Sequence, residues 1–209
     1  SRRTLVTFAL YLFFICCGLL NALRGSQPFL ERLIPIIFIV VACAAFLLTY
    51  RLTVRNVSAA LAILLLTFIA EASAANLGFP FGDLAYTHTL GPKLLDVPLA
   101  IPFLWLAVLI TSWRAADQLL RYKHLVVAAI VATAFDAVLE FAADTLDLWH
   151  WQGGMPTELN IISWLALSYL GLSVLNRYAT EKEADPIVAH LLIALLVYFM
   201  ITDAGIRFM

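Results

Sequence analysis

Charged residues are scarce in this sequence, and their scarcity excludes several classes of protein. Only 13% of the 209 residues are Asp, Glu, Lys or Arg, about half the share usual in soluble domains, while 63% are hydrophobic. The formal net charge is −1, so no excess of positive charge is available to attract nucleic acid or an anionic membrane surface. The composition instead predicts a protein whose partner is the lipid bilayer itself.

Residues that carry metal or cofactor chemistry are equally sparse. The three cysteines fall in apolar runs without metal-ligand spacing, and the four histidines are scattered along the chain. No glycine-rich nucleotide-binding fingerprint is present. We therefore expect no metal and no cofactor. The last hydrophobic stretch also contains no lysine, which excludes a retinal protein with a Schiff base there.

Seven hydrophobic stretches each approach the roughly 20 residues that a helix needs to cross a membrane. They cover residues 4–23, 33–50, 55–75, 97–113, 124–143, 158–176 and 187–208. The first is longer than the apolar core of a signal peptide, so we interpret it as a retained helix. If the N-terminus is inside, the inner connections hold nine Lys and Arg residues and the outer ones four. The sequence predicts an all-α, polytopic bundle of about seven transmembrane helices, with its N-terminus inside and one domain over residues 1–209 of a multi-pass cell-membrane protein.

Four carboxylic acids stand inside these stretches, where ionisable residues are costly and usually face the interior of a bundle. Asp136 and Glu140 are four residues apart, so a helix points both from one face. Glu71 and Asp203 lie near the ends of the third and seventh stretches, in the same outer half of the bilayer. We expect one carboxyl of the close pair to keep its proton near neutral pH, which suits a general acid. Hydrogen bonding between helices is the structural alternative, and it is favoured for Asp203 beside Arg207.

Two connections on the predicted outer side are rich in aromatic and turn residues. Residues 76–102 contain repeated Gly and Pro, which predicts an ordered or partly re-entrant cover over the bundle. In the second connection, Trp149 and Trp151 alternate, so an extended segment presents both on one side. They are typical of an interfacial belt, or they line a pocket that stabilises a cation.

The same two regions carry a family pattern. The segments GFPFGDLAYTHTLGPKLLDVPLAIPFLW and DAVLEFAADTLDLWHWQGGMPTELNIISW resemble membrane carotenoid-biosynthesis proteins, which include hydratases of bisanhydrobacterioruberin and of lycopene-type ends. The chain departs from that pattern at Phe141 and Met155, and Asp83 stands at a position that is more variable in the family. The matching positions are Glu71, Pro80, Phe81, Gly82, Tyr86, Leu90, Gly91, Pro92, Val97, Pro98, Pro102, Trp105, Asp136, Glu140, Trp149, Trp151, Pro156, Asn160 and Trp164.

The resemblance implies acid-catalysed addition of water to a terminal isopropylidene double bond of an acyclic carotenoid, giving a tertiary alcohol. The partners are then the bilayer, the carotenoid and water, with no indicated oligomeric state. Catalysis is expected from Asp136, Glu140 and Glu71, one carboxyl protonating the alkene and another orienting the water. The expected substrate-binding residues are Phe81, Asp83, Tyr86, Trp105, Trp149, Trp151, Asn160 and Trp164, with Asn160 and Asp83 as candidate water ligands.

Three other interpretations remain open. The same buried acid could cyclise or isomerise an isoprenoid end group, because a single water molecule decides the outcome. The chain could also bind carotenoid without chemistry. Buried carboxylates also occur in proton-coupled transporters and channels, although this sequence has no inverted repeat of broken helices.

Overall fold

A computed structural model describes residues 2–23, 33–120, 124–154, 156–182 and 185–208, and these parts of the chain are mostly helical. The fourth predicted stretch began too early, because Val97–Pro98 forms a short strand ahead of its helix. The other stretches agree closely with the helices. In chain order the helices are α1 (Arg2–Ala22), α2 (Leu33–Thr49), α3 (Val54–Leu77), α4 (Ile101–Leu120), α5 (Leu125–Ala143), α6 (Glu158–Tyr178) and α7 (Ile187–Phe208).

The length and composition of the helices are those of a membrane protein. Within the described residues, five helices, α1, α3, α5, α6 and α7, are long and apolar enough to cross a bilayer. Helix α2 is apolar but has only 17 residues, and α4 carries Arg114 and Asp117 near its end. Large hydrophobic side chains remain exposed on several helices, as expected for a surface in contact with lipid tails, among them Phe8, Leu65, Ile130, Ile162 and Met200.

Helix α4 forms the centre of the bundle. Its buried residues run without a gap from Leu104 to Arg114, a pattern typical of a helix that is packed on all sides. It contacts α2, α3, α5, α6 and α7. Gly171 permits the close approach of α6, because a Cβ there would lie 2.7 Å from Cδ1 of Leu109.

Polar groups tie the connections together at the end of the bundle where α3 begins. Nδ2 of Asn56 donates to the carbonyl oxygens of Arg51 at 2.9 Å and Thr180 at 3.1 Å. Buried Arg114 pairs with Glu181 at 2.9 Å, linking α4 to the connection between α6 and α7. Several residues used in the orientation argument or named as family departures lie outside the described residues: Arg24, Arg32, Arg121, Lys123 and Met155.

Short strands close the opposite end, where α3 and α5 finish. Strand β1 (Leu84–Tyr86) pairs antiparallel with β4 (Trp149–Trp151), so that Tyr86 stands opposite Trp149. Strand β2 (Lys93–Leu94) pairs with β3 (Val97–Pro98) within the first connection. The connection over residues 76–102 is therefore ordered by two small ladders. The β1–β4 pairing joins it to the second aromatic connection.

Candidate active site

Glu71, near the end of α3, is buried and held by two hydrogen-bond donors. Its Oε2 accepts from the hydroxyl of Tyr86 at 2.7 Å, and its Oε1 accepts from Nε1 of Trp105 at 3.0 Å. Tyr86 comes from β1 and Trp105 from α4, so three elements converge on one carboxyl group. Burial and the neighbouring Glu71 raise the pKa of Tyr86 well above its ordinary value, so the hydroxyl keeps its proton and remains a donor.

Asp136 and Glu140 project from the same face of α5, one helical turn apart. The side chain of Asn160, in the first turn of α6, joins them. Its Nδ2 donates to Oδ2 of Asp136 at 3.3 Å and to Oε1 of Glu140 at 3.4 Å. Asp136 and Asn160 are each only 1% exposed, whereas Glu140 is partly exposed. The two carboxyl groups therefore share Asn160 as a hydrogen-bond partner but differ in their exposure to the surroundings of the protein.

Two tryptophans hold the second oxygen of Glu140. Nε1 of Trp149 donates to Oε2 at 3.0 Å, and Nε1 of Trp151 donates to the same atom at 2.7 Å. Both side chains reach one carboxyl because alternate residues of β4 point to the same side. An indole N–H only donates, so this pair can stabilise charge on Glu140 but cannot take up its proton.

Aromatic rings form a wall beside the carboxyl groups. The rings of Trp105 and Trp164 stack with centroids 3.5 Å apart, and the ring of Phe81 also stacks on Trp164, at 4.5 Å. All three are at most 4% exposed. The wall joins the first connection to α4 and α6 and keeps water from this side of the cluster.

A small cavity lies between these groups, and we call it the closed cavity because all of its lining residues except Glu140 are buried. Its volume of about 10 Å³ is close to the space that one water molecule needs. Oδ1 of Asn160, which is buried, has no hydrogen-bond partner within the described residues. The cavity is lined by Glu71, Phe81, Leu84, Tyr86, Ile101, Trp105, Asp136, Glu140, Trp149, Asn160 and Trp164.

A larger depression of about 410 Å³, which we call the α5–α6 groove, lies on the opposite side of Glu140. Glu140, Trp149 and Asn160 line both spaces and form the wall between them. Its other lining residues are Ala137, Phe141, Ala143, Asp144, Thr145, His150, Trp151, Gly154, Pro156, Ile161 and Arg207.

Comparison with protein families identifies the class of this chain. A family model described as "Carotenoid biosynthesis protein" matches residues 32–209, which include α2 to α7 and every residue that lines the closed cavity. The chain belongs to the carotenoid biosynthesis protein family. No curated protein and no solved structure matches it. The family that the sequence resembles is thus confirmed, and involvement in carotenoid metabolism follows from it.

In this carotenoid biosynthesis protein, the structure brings most of the candidate residues together. Nine of the eleven line the closed cavity or its wall directly: Glu71, Phe81, Tyr86, Trp105, Asp136, Glu140, Trp149, Asn160 and Trp164. Trp151 lines the groove and reaches the cluster through Glu140. Asp83 lies apart, exposed, with its carboxylate folded over Gly78. The structure therefore does not place Asp83 where it could hold a water in either space.

Two other residues that line the closed cavity could not be recognised as site residues from the sequence. Leu84 and Ile101 border the closed cavity, but a leucine and an isoleucine among many are indistinguishable from core residues. Asp203 pairs with Arg207 at 2.9 Å on α7 and does not join the cluster. Among the described residues, no group of three or more His, Cys, Asp or Glu side chains is arranged to hold a metal ion.

Proposed function

We propose that this protein is a carotenoid hydratase, which adds water to the terminal isopropylidene double bond of an acyclic carotenoid. The observation that carries the proposal is the convergence of Glu71, Asp136 and Glu140 on one closed cavity with room for about one water. In a protein of carotenoid metabolism, acid groups and a water site are the parts that this reaction needs.

The chemistry explains why carboxyl groups would stand inside a membrane bundle. An isolated alkene is a very weak base, so its protonation requires a strong, positioned acid. Three carboxyls that face one small buried cavity cannot all ionise without large repulsion, which leaves a proton available on the cluster. Protonation leaves a tertiary carbocation, and the faces of the neighbouring indole rings can stabilise positive charge.

The proposed roles follow the hydrogen bonds. Asp136 or Glu140 protonates the alkene carbon, while the partner carboxyl or Glu71 orients the water and takes its proton. The unpartnered Oδ1 of Asn160 offers that water an acceptor. The proposal includes seven spans, an N-terminus inside and a site near the outer face of the cell membrane, where both a polyene dissolved in the bilayer and water are within reach.

Expression in a host that accumulates acyclic carotenoids tests the activity. We expect a product heavier than the substrate by the mass of one water, detected by mass spectrometry of the extracted pigments. Asp136→Asn and Glu140→Gln should lower its yield, by about 100-fold where the lost carboxyl is the proton donor. Glu158→Gln, an exposed carboxyl in the first turn of α6, is the control and should retain full yield.

The same experiment separates the other interpretations. A product of unchanged mass but altered absorption would indicate cyclisation or isomerisation. Co-purified pigment without any product would indicate a binding protein. Water addition by the detergent-solubilised protein, where no ion gradient exists, would exclude a coupled transporter. Full activity of both carboxyl variants would refute the proposed acid chemistry.

A further inference from the structure

The closed cavity is too small for an isoprenoid end group. Its volume of about 10 Å³ is the space of a single water, whereas pockets that enclose organic ligands usually measure about 300–1,000 Å³. Asp136 lines only this cavity and is 1% exposed. A substrate that must contact a carboxyl group therefore needs another space beside the cluster.

The α5–α6 groove is of suitable size, at about 410 Å³, and it reaches the cluster at Glu140. Along one face of α5, at helical spacing, it is lined by Ala137, Glu140, Phe141 and Asp144. Ala137 and Phe141 on this face are apolar, whereas Glu140 and Asp144 are acidic. Phe141 and, from α6, Ile161 are more than half exposed, so the apolar part of the groove is open to lipid.

The other end of the groove is polar. His150 binds Asp144 at 2.7 Å, and Arg207 donates from Nη2 to the carbonyl oxygen of Phe141 at 3.3 Å, near the end of α5. Asp144 and His150 are well exposed at this end. One groove thus offers apolar side chains exposed toward lipid and polar side chains exposed toward water, and Glu140 lines the same groove.

We propose that the α5–α6 groove binds the terminal segment of an acyclic polyene, and that Glu140 is the carboxyl group which contacts it. The proposal rests on the proposed function for its chemistry, but binding in the groove can be tested without turnover. Among the three clustered carboxyls, Glu140 lines the groove, whereas Glu71 and Asp136 line only the closed cavity. Asp136 is then a positioning residue that acts through Glu140 and Asn160.

The proposed reaction is balanced, because Glu140 gives one proton and recovers one. Protonated Glu140 gives its proton to the alkene carbon that bears hydrogen, so the π bond breaks, a C–H bond forms and the tertiary carbon becomes a cation. A water forms the C–O bond, and its released proton returns to the carboxylate of Glu140 by way of the clustered carboxyls. The residue ends as it began, and no redox partner is needed.

Filling the apolar part of the groove tests the binding site. Ala137→Phe and Ile161→Trp add bulk from α5 and from α6. Their controls are Val138→Phe and Ile162→Trp, the next residues along each helix, which are exposed but do not line the groove. We expect the first two to lower the carotenoid that co-purifies with the protein at least about 10-fold, and the controls to retain it.

The outcomes separate this inference from the proposed function. Hydration at the normal rate in both groove-filled variants would overturn the groove site and leave the hydratase proposal intact. Pigment that is bound by the native protein, lost in the groove variants and never hydrated would support the groove and refute the hydratase. A native protein that neither binds nor hydrates an acyclic carotenoid would overturn both.

Carboxyl variants test the separate roles. Glu140→Gln should bind pigment normally and form no hydrated product, while Asp136→Asn should keep a reduced rate. Glu140 is faced by Asp136, Glu71 and Asn160 in the cluster, by Trp149 and Trp151, and by Asp144, His150 and Arg207 in the groove. Asp136 and Glu140 share the side chain of Asn160, so their proton equilibria are coupled, and the pH profile of activity should shift in Asp136→Asn relative to the native protein. The reverse pattern, an inactive Asp136→Asn and an active Glu140→Gln, would overturn the assignment.

Discussion

At the scale of single residues, Tyr86 tests whether the hydrogen bonds to Glu71 stabilise the fold. Tyr86→Phe removes a donor 2.7 Å from a buried carboxyl oxygen and changes the shape of the side chain very little. We expect the free energy of unfolding to fall by about 1–3 kcal/mol, because Oε2 of Glu71 loses this partner. Thermal unfolding in detergent measures the change. Tyr169→Phe, on the exposed face of α6, is the control, and equal melting temperatures for the two variants would contradict the prediction.

Residue spacing accounts for much of the candidate site, and backbone geometry accounts for what the sequence missed. The four-residue interval between Asp136 and Glu140, and the alternation of Trp149 and Trp151, fix common directions once the element type is known. The position of Asp83, apart from both spaces, follows the turn at Gly82, where φ is 113°. No side-chain pattern encodes that angle. The hydrogen bonds of Tyr86 and Trp105 to Glu71 depend on long-range packing, and the family resemblance, which marked the three positions, did not predict these contacts.

At the scale of elements, Gly82 shows how the first connection positions the β1–β4 ladder. An L-residue is strained at its positive φ, and a Cβ would lie 3.3 Å from the Trp151 ring and 3.4 Å from Oγ1 of Thr157. We expect Gly82→Ala to cost more than about 1 kcal/mol of stability and to lower hydration by displacing Trp151 from Glu140. Gly153→Ala is the matched control, because a Cβ there meets nothing within 4 Å. Unfolding and product yield measure both effects; equal behaviour of the two variants would refute this role.

The turn between α5 and β4 should respond to pH through His150. Hydrogen bonding to Asp144, and then to Asp147, raises the pKa of His150, although partial burial opposes the shift. Protonated His150 therefore stabilises the turn fully at pH values below the ordinary imidazole pKa of about 6.5. This stabilisation is lost as the pH rises through the raised pKa of His150. Asp144→Asn should lower the pKa of His150, measured by NMR titration of labelled imidazole. Asp96→Asn, in the exposed β2–β3 turn, should leave it unchanged. High salt should shrink the effect, because these side chains are exposed.

Element types were predictable to very different degrees. The helices follow from long apolar stretches, because a helix alone satisfies the backbone polar groups of each crossing segment. The strands have two or three residues each, too few for an alternating pattern to be recognised, and the β1–β4 pair forms only because two distant connections meet. Since β1 and β4 deliver Tyr86 and both tryptophans to the carboxyls, the least predictable elements position the site.

At the scale of the whole molecule, the family match and the helix packing both set α1 apart from the other helices. The match begins at residue 32, so α1 lies outside it, while α1 packs chiefly against α7. Gly18 permits that contact, because a Cβ would lie 3.1 Å from the carbonyl oxygen of Tyr198. The carboxyl cluster is built entirely from α3, α4, α5, α6 and the two connections. Helix α1 therefore supports the site only indirectly, through α7.

The proposed orientation makes opposite predictions for the two ends of the bundle. Seven spans with the N-terminus inside place Leu52, between α2 and α3, on the inner side, and Gly153, between β4 and α6, on the outer side. After replacement of the three native cysteines by serine, we expect Gly153→Cys to react with a membrane-impermeant thiol reagent in intact cells. Leu52→Cys, which is equally exposed in the folded protein, should react only after permeabilisation. The inverse labelling would reverse the orientation and bring the polyene and its water to the groove from the cytoplasmic side. Labelling of both from outside would mean that an even number of crossings separates them; seven spans do not allow this, whereas a bundle crossed only by α1, α3, α5, α6 and α7 would produce it.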